Sequence, residues 1–570
     1  MCTTCGCTAR DDDLSKVERV KASSHHLRGA IGDELTQDTH AFTEASVQLL
    51  KFHGVYQQED RDKRREARLL GIDKHHQMMV RTRVPGGVVS PAAYLAHDTV
   101  AERWGNGTLR VTTRQDFQLH GVLKGDLRSA IRGINEALLT TLGGCGDVER
   151  NIMCCPAPLR SPLRDSVNAF LPRLVDALAP ATGAYHEIWL DDEIAVSSAP
   201  VDDEPLYGDR YLPRKFKTAI ALEGDNCVDV HANDLGLVAF AGDDGALAGF
   251  NVLVGGGLGR TNNKPNTFAA VAVPLASVGP ERAIDVSRAI VGVQRDHGDR
   301  RDRRHARLKY LIADRGLAWF RDNVQERLDF PLADPRDVTW PAVDDHLGWQ
   351  AGSDGEWFFG LYVENGRIAD GASGNLRTAL RTLVEQLQPQ VRLTAQQNVI
   401  LAGISPEQRH EVEATLRAHG VATNGSLHPV VMRAMACPAL PTCGLAVAES
   451  ERALPRLIRD IAELVDELGV ADARISTRMT GCPNGCVRPY LGDIGLVGTT
   501  LGKYDVFVGG DPQGTRLNEL FAPSVRLEDV TAVLRPLLSS FAAERRDGES
   551  FGDWCHRTSA AGRPAEAGVA

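Results

Sequence analysis

Apolar and polar residues alternate through Leu109, Val111 and Thr113 and again through Phe117 and Leu119, and glycine closes the run. A period of two with a terminal glycine predicts β-strands. A different spacing governs Leu457, Ile458, Ile461, Leu464, Val465 and Leu468, which recur every three or four positions ahead of Gly469. That spacing predicts an amphipathic helix stopped by a glycine C-cap. Residues 1 to about 75 lack such order and are crowded with charge, as in Glu-Asp-Arg-Asp-Lys-Arg-Arg-Glu-Ala-Arg from Glu59 to Arg68. They read as an arm with helical pieces and solvated faces. The expected fold class is mixed α/β.

The strand pattern occurs twice. Thr108 to Val122 (T-L-R-V-T-T-R-Q-D-F-Q-L-H-G-V) and Val391 to Ile404 (V-R-L-T-A-Q-Q-N-V-I-L-A-G-I) align at an offset of 282, which places Arg110 on Arg392, Gln115 on Gln397 and Gly121 on Gly403. The same offset carries Cys155-Pro156-Ala157 onto Cys437-Pro438-Ala439. Asp234-Leu235-Gly236-Leu237-Val238 is echoed by Asp493-Ile494-Gly495-Leu496-Val497, and Phe250 to Gly256 by Tyr504 to Gly510. Four echoes in one order indicate an internal duplication.

With 570 residues the chain exceeds one ordinary domain, and 43% hydrophobic with 24% charged residues is the balance of a soluble globular protein. A net charge of −11 argues against a nucleic-acid binder, and leaves room for a small anion only in a local basic pocket. No apolar run reaches membrane-spanning length, and Met1-Cys2-Thr3-Thr4-Cys5-Gly6-Cys7 offers no apolar signal region, so a cytoplasmic location is expected. Cys2, Cys5 and Cys7 read as part of a loose tail. Twelve cysteines are too sparse for a disulfide scaffold.

Four of those cysteines cluster. Cys437-Pro438-Ala439-Leu440-Pro441-Thr442-Cys443 and Cys482-Pro483-Asn484-Gly485-Cys486 supply two thiol pairs. A [4Fe–4S] cluster needs one soft ligand per iron, which two such pairs provide. A structural zinc site is the alternative, although its knuckles usually have two to four intervening residues and the first pair here has five. Spacing alone does not decide between them.

C-P-A-L-P-T-C and T-G-C-P-N-G-C, running on into V-R-P-Y-L-G-D-I-G-L-V-G, resemble the cofactor signature of the siroheme-containing nitrite and sulfite reductases. From Lys51-Phe52-His53-Gly54-Val55-Tyr56 to Ser550-Phe551-Gly552-Asp553 the likeness is to the assimilatory sulfite-reducing branch. The resemblance implies an internally duplicated fold with three lobes around a siroheme. Its parts would be an arm (1–75), paired ferredoxin-like half-domains (76–145 with 345–420), a first siroheme-binding α/β domain (146–344) and a second α/β domain with the cluster cysteines (421–570). It also implies a [4Fe–4S] cluster on Cys437, Cys443, Cys482 and Cys486, with Cys486 shared with the siroheme iron.

Carried over by the same resemblance, Arg81, Arg150, Lys215 and Lys217 surround the substrate, and Arg114, Gln118, His120, Arg214, Arg303 and Asn484 contact the cofactor. Arg81 and Arg83 are expected on one side of an alternating strand, Lys215 and Lys217 on one side of an extended segment, and Arg114, Gln118 and His120 on one strand face. In the second copy Gln396, Ile400 and Ala402 replace that last trio, which fits one cofactor site per duplicated pair. Val254-Gly255-Gly256-Gly257-Leu258-Gly259-Arg260 imitates a dinucleotide loop without the helix and acidic partner such a loop needs, and the resemblance implies instead a loop over siroheme carboxylates. Cys154 and Cys155 receive no role. The implied activity is six-electron reduction of sulfite to sulfide, with nitrite reduction or a non-catalytic zinc scaffold as alternatives. The chain shows no flavin or nicotinamide domain, so electrons must come from a partner, either an NADPH-dependent flavoprotein or ferredoxin.

Overall fold

The computed structural model describes residues 13–185, 204–262, 264–340, 345–353 and 355–562; Cys2, Cys5 and Cys7 lie outside them. The duplication is visible strand by strand. One five-stranded antiparallel sheet orders Val55–Glu59, His76–Arg81, Phe117–Val122, Leu109–Val111 and Arg367–Ile368; its counterpart orders Gly348–Ala351, Trp357–Leu361, Val399–Ile404, Gln390–Leu393 and Val88–Val89. Each sheet takes its last strand from the other copy: Arg367 pairs with Arg110, and Val88 with Arg392. The exchange ties the two halves together through backbone hydrogen bonds. The arm expected over 1–75 gives its strand Val55–Glu59 to the first of these sheets.

The second pair of sheets is mixed. Met153–Cys154, Thr218–Leu222 and Leu235–Ala241 run parallel, and Leu247–Val254 and Val273–Val278 follow antiparallel. Ala434–Ala436, Thr477–Thr480, Ile494–Thr500, Lys503–Val508 and Glu519–Arg526 repeat this order. Even the register is kept. Met153 faces Ala219 and Ala219 faces Gly236 in one copy, as Met435 faces Arg478 and Arg478 faces Gly495 in the other.

Helices cover these sheets where the sequence sets their ends. Ser90 and Ser161 accept from the backbone N–H of Ala93 and Arg164, each followed by a proline at the first helical position, which starts Pro91–Trp104 and Pro162–Leu178. The helix expected around Leu457 spans Leu454–Glu467, and Gly469 beyond it takes φ 68°, a left-handed conformation that suits glycine. Its buried face (Leu457, Ile458, Ile461, Leu464, Val465) packs into a core with Ile494, Leu496 and Leu534. No helix among the described residues is long and apolar enough to cross a membrane.

Candidate metal centre and anion cavity

Cys437 leaves the end of the strand Ala434–Ala436, and that end is braced from below. Arg110 donates to the Ala436 carbonyl at 2.6 Å, and Glu451 N–H donates to the Cys437 carbonyl at 3.1 Å. The Glu451 carboxylate is in turn bonded by Arg110 and by Arg367 Nε at 2.7 Å. Burial opposes the charge on Glu451, but the two guanidiniums outweigh it and hold the carboxyl at about 2. The second cysteine pair follows the strand Thr477–Thr480 through Gly481, whose N–H donates to Cys437 Sγ at 3.4 Å. A Cβ at Gly481 would lie 2.5 Å from the Ala448 carbonyl, so only glycine lets the two cysteine segments close. Asn484 Nδ2 donates to Cys482 Sγ at 3.5 Å.

The four thiols expected as ligands are thus brought together. Cys437 and Cys482 are buried, Cys443 is half-buried and Cys486 is exposed. Burial, with Cys486 close by, pushes Cys482 up to about 12 and raises Cys437 and Cys443 as well. Four sulfurs this close resist ionising together unless a cationic group shares their charge, and a four-iron cluster is such a group. The donor set therefore fits the cluster.

Cys486 opens into a cavity lined also by Arg114, Lys215, Lys217, Arg307 and Asn484. Lys215 and Lys217 sit on one side of their extended segment, as expected, and among the described residues neither ammonium has a hydrogen-bond or ion-pair partner. Burial, followed by neighbouring cations that include Arg214 for Lys215 and Arg114 for Lys217, pushes both well below the ordinary lysine range. Arg81 and Arg150 stand behind this lining. Arg150 is held by the Gly146 and Gly144 carbonyls at 3.1 and 3.3 Å and is near enough to depress Lys215. Arg81 Nε lies 3.7 Å from Asp116 and donates to the turned Gln118 amide oxygen at 3.2 Å.

Other sequence expectations are redirected. The strand ends at Arg81, so Arg83 diverges toward the Val175 carbonyl at 3.4 Å instead of sharing its side. Arg114 precedes the strand Phe117–Val122 and so does not share a strand face with Gln118 and His120. It lies in a turn and bonds Asn233 Oδ1 at 2.7 Å and the Thr218 carbonyl at 3.0 Å, while still reaching the cavity wall. Arg303 grips buried Asp147 with both nitrogens, at 2.6 and 2.8 Å, and Arg214 lies 3.9 Å from the same carboxylate; neither lines the cavity beside Cys486. His120 is 3% exposed with both ring nitrogens unpartnered among the described residues. Both nitrogens are therefore open to a hydrogen-bonding group, although His120 does not line the cavity beside Cys486.

Sequence reasoning left Arg488, Asn233 and Tyr56 unassigned. Arg488 and Asn233 line the cavity, and Tyr56 lies near enough to Cys145, Arg150 and Arg81 to be shifted by all three. Only the run on from Cys486 pointed to Arg488. The glycine loop lies against the second cysteine pair: Arg260 N–H donates to the Pro483 carbonyl at 2.8 Å, and Lys309 Nζ binds the Gly257 and Gly259 carbonyls at 2.7 and 2.8 Å. It faces the segment that carries Cys482 and Cys486.

Clustered thiols opening onto a cationic cavity, on a duplicated frame, describe a metal-dependent redox protein that handles an anion. Known proteins narrow this class. Residues 173–332 and 431–562 match the model for the nitrite and sulphite reductase 4Fe-4S domain, and residues 72–137 and 350–419 match that for the nitrite/sulfite reductase ferredoxin-like half domain. The chain is 46% identical to the sulfite reductase [ferredoxin] of Synechococcus elongatus, over 96% of this chain and 90% of that one. It is 43% identical to the sulfite reductase [NADPH] hemoprotein beta-component of Myxococcus xanthus, over 97% and 98%. The NirA structure from Mycobacterium tuberculosis shares the fold, with a TM-score of 0.76 and 23% identity over 95% of this chain and 96% of that one. The chain belongs to the nitrite and sulfite reductase family.

Proposed function

We propose that this chain is the catalytic hemoprotein of an assimilatory sulfite reductase. It would take sulfite to sulfide with six electrons and six protons, releasing three waters. The observation that carries this reading is the cavity itself, which sets the exposed thiol of Cys486 against two unpartnered lysines and Arg114. Cys437, Cys443, Cys482 and Cys486 would hold a [4Fe–4S] cluster and Cys486 would also serve a siroheme, and these groups would supply the reducing electrons when bound. On this reading Arg114, Gln118, His120 and Asn484 would hold the siroheme periphery, and of these Arg114 and Asn484 line the cavity.

The chain's own groups account for the rest. Arg81, Arg150, Lys215 and Lys217 attract a small oxyanion and offset its charge. Burial and neighbouring cations weaken the hold of Lys215 and Lys217 on their protons, so once protonated beside the bound anion these two are the proton donors as oxygen leaves as water. Electrons come from a separate protein; one relative is named for ferredoxin and the other for NADPH, and Arg488-Pro489-Tyr490 resembles the ferredoxin-linked branch.

An absorption spectrum with metal analysis tests the cofactor assignment: Soret and visible bands with about five irons per chain are expected, four in the cluster and one in the heme. A colourless protein holding only zinc would overturn it. Comparing kcat/KM for sulfite and nitrite tests the substrate, and a strong nitrite preference would replace sulfite. Reconstitution with each donor identifies the partner.

A further inference from the structure

The duplication places a second group of metal-ligating side chains at the counterpart of the cluster. Cys155 is the repeat mate of Cys437, and Cys227, seven residues before Asp234, is the mate of Cys486, which stands as far before Asp493. The mates of the other two cluster cysteines are Ser161 and Glu223. Half of the thiol set survives, which is too little for a four-iron cluster. Two new donors stand beside it. Asp225 holds the position of Asn484, and His346 arrives from the segment that leads into the second ferredoxin-like half.

We propose that Cys155, Asp225, Cys227 and His346 form a mononuclear site for a tetrahedral divalent ion of the zinc class. One ligand atom from each lies within 4.8 Å of all the others. Cys155 Sγ is 2.9 Å from Asp225 Oδ2 and 3.4 Å from His346 Nε2, and the latter two atoms are 3.5 Å apart. Tetrahedral bonds of about 2.0–2.3 Å require ligand separations of about 3.3–3.8 Å, so small side-chain shifts complete the shell. Two thiolates, a neutral imidazole and a carboxylate are the donors zinc prefers.

Charge also balances. Arg164 donates to Cys155 Sγ at 3.1 Å and to Asp225 Oδ2 at 2.7 Å, the outer contact that orients ligands in metal sites. Two thiolates and a carboxylate carry three negative charges, which a divalent ion and one guanidinium neutralise. Cys227 and His346 also face a cleft lined by Asp229, Gln396, Arg474 and Arg478, so the site has an entry path. The ion would pin the segment at His346 to the first mixed sheet and close the unused twin of the cofactor pocket. This inference does not depend on the sulfite reading.

The test is zinc content and zinc X-ray absorption on the reduced holoenzyme, incubated with zinc and desalted. About one zinc per chain is expected, with two sulfurs at about 2.3 Å and two N/O ligands at about 2.0–2.1 Å. Cys155→Ser and His346→Gln should each lower zinc at least tenfold while iron per chain stays constant. If either variant fails to fold, the wild-type spectrum still decides. Three results overturn the proposal: no zinc retained, a four-sulfur zinc shell, or a Cys155–Cys227 disulfide in protein purified without oxygen.

Discussion

Asp229 and Arg488 occupy equivalent positions in the two copies, and each bonds the other. Both take left-handed backbone, at φ 48° and 57°, and the Arg488 guanidinium donates to the Asp229 carboxylate where the copies meet. Arg478 adds a second contact to the carboxylate at 3.0 Å, and Arg488 continues to the Ala395 carbonyl at 2.7 Å. Burial disfavours charge on Asp229, but the two guanidiniums prevail and hold its carboxyl below the usual range. At this point the duplicated halves are joined, beyond the strand exchange, by repeat mates of opposite sign.

Removing one partner strands a buried charge, which costs about 3–5 kcal/mol. Asp229→Asn and Arg488→Met should therefore each lower the thermal midpoint sharply. The double variant should be less destabilised than the sum of the two, because the contact the pair shares is then lost only once, while Arg478 loses its carboxylate whenever Asp229 is replaced. Simple additivity in the midpoints would show that the pair does not act as a unit.

Lys215 and Lys217 carry a prediction about rate. Lys215→Met and Lys217→Met should keep the visible spectrum and iron content while kcat with sulfite falls by about 10²–10⁴, the usual worth of a positioned proton donor. Unchanged kcat with a raised KM would mean that the lysines only bind the anion.

How much of this was legible beforehand depends on range. The duplication, the helix before Gly469 and the cysteine pairs are local patterns, and each stands where its spacing placed it. The strand exchange was not legible, because Val88–Val89 and Arg367–Ile368 are two-residue pairings without periodicity of their own. Arg303 was expected at the cofactor by resemblance; its partner in the fold, Asp147, is remote in sequence and invisible to motif reading. Arg114 was placed on a strand by extending alternation through Gln115, whose φ of 55° breaks it. The second metal site failed to register because Asp225 and His346 belong to no cysteine motif.

Acid stability should respond to two buried histidines. His53 and His97 are both 0% exposed, each with one ring nitrogen on a backbone carbonyl, and burial pushes each down to about 4 from 6.5. Because the unfolded imidazole takes its proton first, their contribution is complete above pH 6.5 and is lost as pH falls to about 4. The loss is up to about 3 kcal/mol for each, from 1.36 kcal/mol per unit. Urea midpoints measured across this window should fall with pH, and His97→Leu should flatten the slope. An equal slope in that variant would remove His97 from the account.

Glu451 links stability to the metal centre. Its carboxylate pairs with Arg110 and Arg367, and Arg110 also holds the strand end that presents Cys437. The folded carboxyl sits at about 2 against an ordinary 4.5, so its contribution is complete above pH 4.5 and fades as pH falls toward 2, by up to about 3 kcal/mol. Glu451→Gln removes the charge at every pH and leaves two guanidiniums facing each other beside Cys437. Cluster iron should then be lost faster than heme absorbance on mild heating, since the displaced strand bears a cysteine that binds the cluster alone. A variant that keeps wild-type iron and the wild-type acid profile would show that Arg110 holds the Ala436 carbonyl without help from the carboxylate.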